Sequence, residues 1–239
     1  MPELILETEK MLLYQQQLGE WNNLNHLIIC KSSNQACIID PFDGKFWLDF
    51  CQLMEVEITE IWLTHTHWDH IKGVDALYHN SDIQPILRCH ILEQQRGYES
   101  TRADWWTHDE LSSVATMFGD IEFTVHCTPG HSPGHVTIIG DGAIITGDCL
   151  FLHSCGRTDL FGGDQEKQRQ SVLYLKEVFD TVTLDSLILP GHQYEQDDGS
   201  IPTTIGLETF LQENLAINSA HDILPVSYTH LTLPTNLSV

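Results

Sequence analysis

Thr64-His-Thr-His-Trp-Asp-His70 puts three imidazoles and a carboxylate into six consecutive residues, His65 to His70. The apolar run before it, Ile58-Thr-Glu-Ile-Trp-Leu63, reads as a short buried strand. Side chains alternate along an extended chain, so His65 and His67 face the same way. Asp69 and His70 then open the next helix and face a neighbouring point. Neutral imidazole and carboxylate are ligands for zinc and similar divalent cations, and two-metal hydrolases hold their ions about 3.5–4 Å apart. One turn of this kind can serve two adjacent ions. A short motif alone is weak, so the remaining ligands must come from farther along the chain.

Three positions supply them. His131 stands in Thr128-Pro-Gly-His-Ser-Pro-Gly-His135, Asp148 in Ile145-Thr-Gly-Asp-Cys-Leu-Phe151, and His192 in Leu189-Pro-Gly-His-Gln-Tyr194. Each follows an apolar strand and a glycine that lets the chain turn tightly toward an ion. His135 has no ligand position left, so it is expected to pack or to support the site. His26, His79, His90, His108, His126, His153, His221 and His230 read as ordinary polar residues.

Working outward, residues 24–30 and 36–40 are β-rich runs joined by the polar turn Lys31-Ser-Ser-Asn-Gln35. Helices are expected over 46–56, 69–79, 165–179 and 205–218, and strands over 121–127, 136–139, 143–146 and 187–189. The stretch 94–120, with Trp105-Trp106, has weak periodicity and reads as loop and short helix lying over the site. Two strand-rich halves, each closing with helices, suggest an α/β chain of two packed sheets covered by helices, forming one domain over 1–225.

Composition narrows the partners. Eleven basic residues against 34 acidic ones give a net charge of −23. Phosphate backbones are bound by clustered Lys and Arg, so nucleic acid is not the expected partner. No run approaches the ~18 apolar residues of a membrane span. The acidic N-terminus does not read as a signal peptide. A cytoplasmic protein with a small-molecule substrate and no membrane partner is expected; its oligomeric state is left open. The seven cysteines include no C-x-x-C pair and read as reduced core fillers, with Cys149 and Cys155 flanking the site. Val226-Ser-Tyr-Thr-His-Leu-Thr-Leu-Pro-Thr235 resembles a translated sequencing adapter. The native chain is therefore expected to be cut near Leu224 and Pro225, and 226–239 is set apart from fold reasoning.

With these motifs, and with Asp40 closing an earlier strand, residues 24–204 resemble the metallo-β-lactamase superfamily, in particular its glyoxalase II-like branch. The resemblance implies an αββα sandwich of two mixed β-sheets flanked by helices. It implies one metal on His65, His67 and His131, a second on Asp69, His70 and His192, and Asp148 bridging the two. Zinc is the expected metal, with iron and manganese as alternatives. The implied reaction is hydrolysis of a thioester or related ester by a metal-bridging hydroxide, with Asp69 orienting the water and taking up its proton. Cys155-Gly-Arg-Thr-Asp-Leu-Phe-Gly-Gly163 resembles the loop after the bridging aspartate in glyoxalase II-like hydrolases and in persulfide dioxygenases. Arg157 is then a candidate carboxylate binder, or a fork that holds Asp159 or local carbonyls. Tyr194 matches a substrate-facing tyrosine.

The pattern departs from glyoxalase II at its end. That enzyme carries a further helical domain whose basic residues grip glutathione, whereas no Lys or Arg follows Lys176 here. A short branch is expected, with a glutathione conjugate as one candidate substrate. The alternatives are a persulfide dioxygenase with a single iron and a lactonase. An RNA-processing nuclease is disfavoured by the charge.

Overall fold

The computed structural model describes residues 1–80, 83–196 and 198–220. The adapter-like segment, the expected cut at Leu224 and Pro225, His221 and His230 all lie outside the described residues.

Seven strands form the first sheet in sequence order: β1 (Glu3–Glu7), β2 (Met11–Leu18), β3 (Asn23–Cys30), β4 (Gln35–Ile39), β5 (Glu57–Trp62), β6 (Ile86–His90) and β7 (Ala103–Trp106). The first four pair antiparallel; from β4 onward the pairing is parallel. The second sheet runs β13-β12-β11-β10-β9-β8, built from β8 (Ser113–Phe118), β9 (Ile121–Cys127), β10 (Val136–Gly140), β11 (Ala143–Gly147), β12 (Leu187–Pro190) and β13 (Ile205–Gly206). Only its β11–β12 pair is parallel.

Period-two alternation explains the layering. Ile28, Cys30, Cys37, Ile39 and Trp62 of the first sheet meet Phe123, Val125, Ile138, Ile145 and Leu189 of the second in a shared core. Their neighbours Leu27, Ile29 and Ile38 face the other way, onto Trp47 and Phe50 of helix α1 (Gly44–Leu53) and Val74 and Leu77 of helix α3 (Val74–Asn80). Ile144 and Ile188 likewise leave the second sheet for Val172, Leu175 and Phe179 of α4 (Gln165–Phe179) and Phe210 of α5 (Leu207–Glu213). A strand covered on both faces is buried along its whole length, as β3 is, with Leu24 and residues 27–30 apolar. The αββα arrangement expected from the sequence is present.

Three local expectations are corrected. The helix expected over 69–79 is two, α2 (Trp68–Ile71) and α3, interrupted at Lys72-Gly73. At Gly73 a Cβ would lie 2.5 Å from the Gly44 nitrogen, and at Gly44 one would lie 2.2 Å from the Gly73 carbonyl. The close crossing of these two backbones stops the helix. The stretch 94–120 is not a cover over the site: it ends a 3-10 turn (Ile91–Arg96) and supplies edge strands β7 and β8. Trp106 goes into the inter-sheet core, edge-to-face with Trp62 at 5.9 Å. The last helix is split into α5 and α6 (Leu215–Ser219) at Asn214, whose side chain caps α6 and donates to the carbonyl of Phe151.

His26 of β3 is buried and accepts, at Nε2, a hydrogen bond from the Gln15 amide at 3.0 Å. Burial pushes its pKa down to about 3. Between the unfolded value near 6.5 and that folded value, the unfolded chain binds a proton that the folded chain refuses, so stability falls as pH drops through this window. His26→Gln is expected to flatten the pH dependence of the urea unfolding free energy between about pH 6 and 5, by up to ~1.4 kcal/mol per pH unit. An unchanged slope contradicts a neutral buried ring.

Candidate metal centre

The site lies where strand ends of both sheets meet. His65 and His67 follow β5, and His67 also begins α2, which carries Asp69 and His70. His131 lies between β9 and β10, Asp148 follows β11, and His192 follows β12. All seven side chains are buried. Three sets of ligand atoms lie within 4.8 Å of one another: His65, His67 and His131; Asp69, His70 and His192; and Asp40, His65 and His70. Asp148 stands between the first two sets. Its Oδ2 is 3.4 Å from His131 Nε2 and 3.3 Å from His192 Nε2, and its Oδ1 is 3.5 Å from His70 Nε2.

Hydrogen bonds behind the rings fix which nitrogen faces inward. His131 Nδ1 donates to the Arg157 carbonyl at 2.7 Å, His192 Nδ1 to the Trp21 carbonyl at 2.8 Å, and His70 Nδ1 to Asp40 Oδ2 at 3.0 Å. Thr64 Oγ1 donates to Asp40 Oδ2 at 2.6 Å, so it must accept from His65 Nδ1 at 3.0 Å. These four rings therefore turn Nε2 lone pairs into the site. His67 is reversed, with Nδ1 2.8 Å from His131 Nε2. His65 Nε2 and Asp148 Oδ1 are buried with no hydrogen-bond partner. Lone pairs facing each other across such gaps, with unpartnered atoms among them, are what a divalent cation satisfies.

Electrostatics agree with that reading. Burial, with the neighbouring rings His70 and His131, holds His65 well below the usual histidine range, and burial with His131 and Arg96 takes His67 to about 2. Burial opposes charge on His70 too, but Asp148 and Asp40 outweigh it and raise the value to about 10. His192 is also raised, against burial, by Asp148. His70 and His192 face each other through Nε2 atoms 3.2 Å apart, which leaves room for one proton between them. Burial would raise Asp148, yet His192 and His70 hold it well below the carboxylate range. The carboxylates thus draw positive charge to the His70 and His192 side of the pocket, while His65 and His67 resist protonation.

Supporting residues complete the frame. His135 accepts at Nε2 from the backbone N–H groups of Asp148 and Cys149, each at 3.1 Å, which confirms its expected supporting place. Asn23 donates to Asp69 Oδ2 at 2.8 Å. Glu93 accepts from Thr66 N at 2.8 Å, Ser132 Oγ at 2.6 Å and Gly134 N at 2.7 Å, and also from Thr66 Oγ1, so one buried carboxylate ties the His65–His67 turn to the His131 loop. Only glycine fits at 191, where a Cβ would stand 2.3 Å from Asp148 Oδ1. Sequence reasoning missed Asn23, Glu93 and the Trp21 and Arg157 carbonyls, since nothing near them in the chain marks them.

Tyr194 packs edge-on against Phe151 at 5.0 Å and stacks on His192 at 6.2 Å. The Arg157 guanidinium is exposed and gripped by Asp159 through two bonds of 2.6 and 2.7 Å, the second of the two roles open to it from sequence. Cys149 and Cys155 are pushed up to about 12 and about 11 by burial, so both stay thiols at neutral pH.

Residues 27–192, well over half the chain, match the metallo-β-lactamase superfamily. The chain belongs to that superfamily. The hydroxyacylglutathione hydrolase of Tolumonas auensis is 30% identical over 171 residues, covering 71% of this chain and 62% of the relative. This chain therefore spans about six tenths of that relative's length. The hydroxyacylglutathione hydrolase of Pseudomonas savastanoi pv. phaseolicola is 29% identical over 219 residues, covering 87% of this chain and 75% of that one. ETHE1 from Myxococcus xanthus shares the fold with a TM-score of 0.70 at 22% identity, over 90% of this chain and 92% of that one. TTHA1623 in its di-iron-bound form does so with a TM-score of 0.63 at 24% identity, over 84% and 98%. Among the described residues no helix is long and apolar enough to cross a membrane.

Glu93→Gln sets an amide N–H group against four donors inside this superfamily frame. It is expected to lower the unfolding free energy by about 3 kcal/mol or more, read from urea denaturation. A wild-type midpoint would contradict the tie described for Glu93.

Proposed function

We propose that this protein is a metal-dependent hydrolase of a thioester or related ester, acting through two divalent cations. The observation that carries the reading is the convergence of inward-facing imidazole nitrogens on Asp148, with Asp69 beside them. His65, His67 and His131 would hold one cation, Asp69, His70 and His192 the other, and Asp148 both. Bound there, such cations polarise a carbonyl and bring the pKa of water toward neutrality. The donor set suits zinc, iron or manganese; zinc is the working assignment. The hydroxyacylglutathione hydrolase relatives favour a thioester, and a glutathione conjugate is the first substrate to try.

The chain's own residues divide the remaining work. Asn23 holds Asp69 by donating to Oδ2, the oxygen that faces His70 and His192, and from there the carboxylate would orient the attacking water and receive its proton. Tyr194 stays a phenol, since burial raises its pKa above the usual tyrosine value, and it can donate to a substrate oxygen. Arg157, whose charge acts on Tyr194, stays paired with Asp159 and fixes the loop beside Asp148. The acyl group is bound against these residues while Phe151 and Tyr194 keep water from the His192 side.

Asp148→Ala removes the anion shared by both cation positions. It is expected to lose both metals and at least about 100-fold in thioester hydrolysis. His192→Ala removes one ligand of one position, and is expected to retain one metal and to recover part of its turnover with excess zinc. Metal content and hydrolysis rates on both variants check this. A wild type that carries a single iron, hydrolyses no thioester and consumes oxygen with a persulfide would overturn the reading in favour of a dioxygenase.

A further inference from the structure

Among the described residues Arg96 and Arg102 make no salt bridge, and of the two Arg96 has buried guanidinium nitrogens without partners. Arg96, at the end of the 3-10 turn, has both Nε and Nη1 buried with no hydrogen-bond partner. Glu93, one turn earlier, cannot serve, because its two oxygens are taken by Thr66, Ser132 and Gly134. Arg96 as a whole is half-buried, but buried donors without acceptors are uncommon. Burial holds the Arg96 pKa below the ordinary arginine value, with Glu93 offsetting part of the effect.

Its position gives the vacancy of acceptors a meaning. A Cβ on Gly162 would stand 2.9 Å from Arg96 Cγ and 3.0 Å from Pro133. The arginine stem is thus clasped between the loop that carries His131 and the loop, 155–163, that follows Asp148. Glu93, in the same turn as Arg96, accepts from the Thr66 backbone N–H beside His67 at 2.8 Å, and the Arg96 charge helps to lower the His67 pKa. His67 Nδ1 is turned inward and its Nε2 is buried with no partner; with a cation on Nδ1, Nε2 would carry the proton. Among the described residues, Arg96 Nε and Nη1 and His67 Nε2 are thus left without partners. Arg157, the arginine singled out by the sequence, is by contrast already neutralised by Asp159 and exposed.

We infer that Arg96 is the anion receptor of the site, binding a carboxylate carried by the substrate on the His67 side of the metal centre. The inference rests on the hydrolase reading for its substrate class, but the binding it describes is measurable without turnover. A planar guanidinium fork matches a carboxylate in two parallel bonds, and a charged hydrogen bond of this kind is worth about a 10- to 100-fold preference over a neutral analogue. The overall charge of −23 disfavours long-range approach of an anion, so local groups must supply its attraction.

The test uses the metal-loaded protein and two probe pairs. (Benzylthio)acetate and its methyl ester are titrated by calorimetry, and S-benzoyl mercaptoacetate and its methyl ester are assayed for hydrolysis. Wild type is expected to favour each acid over its ester by about 10-fold or more. R96Q is expected to erase that preference, and R96K, which keeps the charge but loses the fork, to retain part of it. An acid-over-ester ratio that is the same in wild type and in R96Q overturns the inference, even where both affinities fall together, since a packing role would do that. If R96Q does not fold, R96K decides: a wild-type ratio and a wild-type KM overturn it. Should neither thioester be hydrolysed while the thioether acid still binds in an Arg96-dependent way, the hydrolase reading fails and the receptor stands.

Discussion

Four imidazoles in this molecule give their Nδ1 protons to acceptors behind them: two backbone carbonyls, a carboxylate and a threonine oxygen that has already donated its own proton. A ring held in this way has one free lone pair and one direction in which to point it. Rings fixed behind by oxygen are also better donors in front. Without these bonds the same histidines would rotate, share protons with one another and offer no fixed set of ligands. The metal centre is therefore an outcome of what stands behind the rings more than of the rings themselves.

The fold supplies those acceptors from distant parts of the chain. The Trp21 carbonyl comes from the β2–β3 turn, which is stitched to the His192 segment by the Leu24 N to Gly191 carbonyl bond at 2.8 Å. Asp40 ends β4 in a left-handed conformation, φ 51°, and from there reaches both Thr64 and His70. Glu93 joins the first sheet's turn to the second sheet's loop. Each link crosses from one element to another, so the two sheets must pack face to face for the site to exist. Trp62, Phe118 and Phe123, packed edge-to-face at 5.3 to 6.2 Å, fix that contact.

What could be read from the sequence follows from this division. The inward-facing groups were legible because metal ligation restricts them to His and Asp, and because each follows a strand at short spacing. The layered fold was legible through strands buried on both faces. The stretch 94–120 was not, since β7 and β8 are edge strands with mostly exposed or half-buried side chains and no clear alternation. The break at Gly73 depends on a backbone crossing with Gly44, which no local pattern announces. Asn23 and Glu93 were missed for a related reason: their partners lie tens of residues away, and nothing in the sequence around Arg96 marks it as different from an ordinary arginine in a turn. The role given to Arg157 rested on its place beside Asp148, and the nearby Asp159 answers that charge locally.

The tautomers are the most direct measure of this account. Long-range proton–nitrogen correlation spectra of the zinc-loaded protein, labelled at its histidine ring nitrogens, distinguish a protonated nitrogen from a metal-bound one in each ring. His65, His70, His131 and His192 are predicted to keep the proton on Nδ1 and bind through Nε2, while His67 shows the reverse. Spectra in which His67 shares the tautomer of the others, or in which the five rings remain unchanged by zinc, would contradict the arrangement on which the proposed chemistry depends.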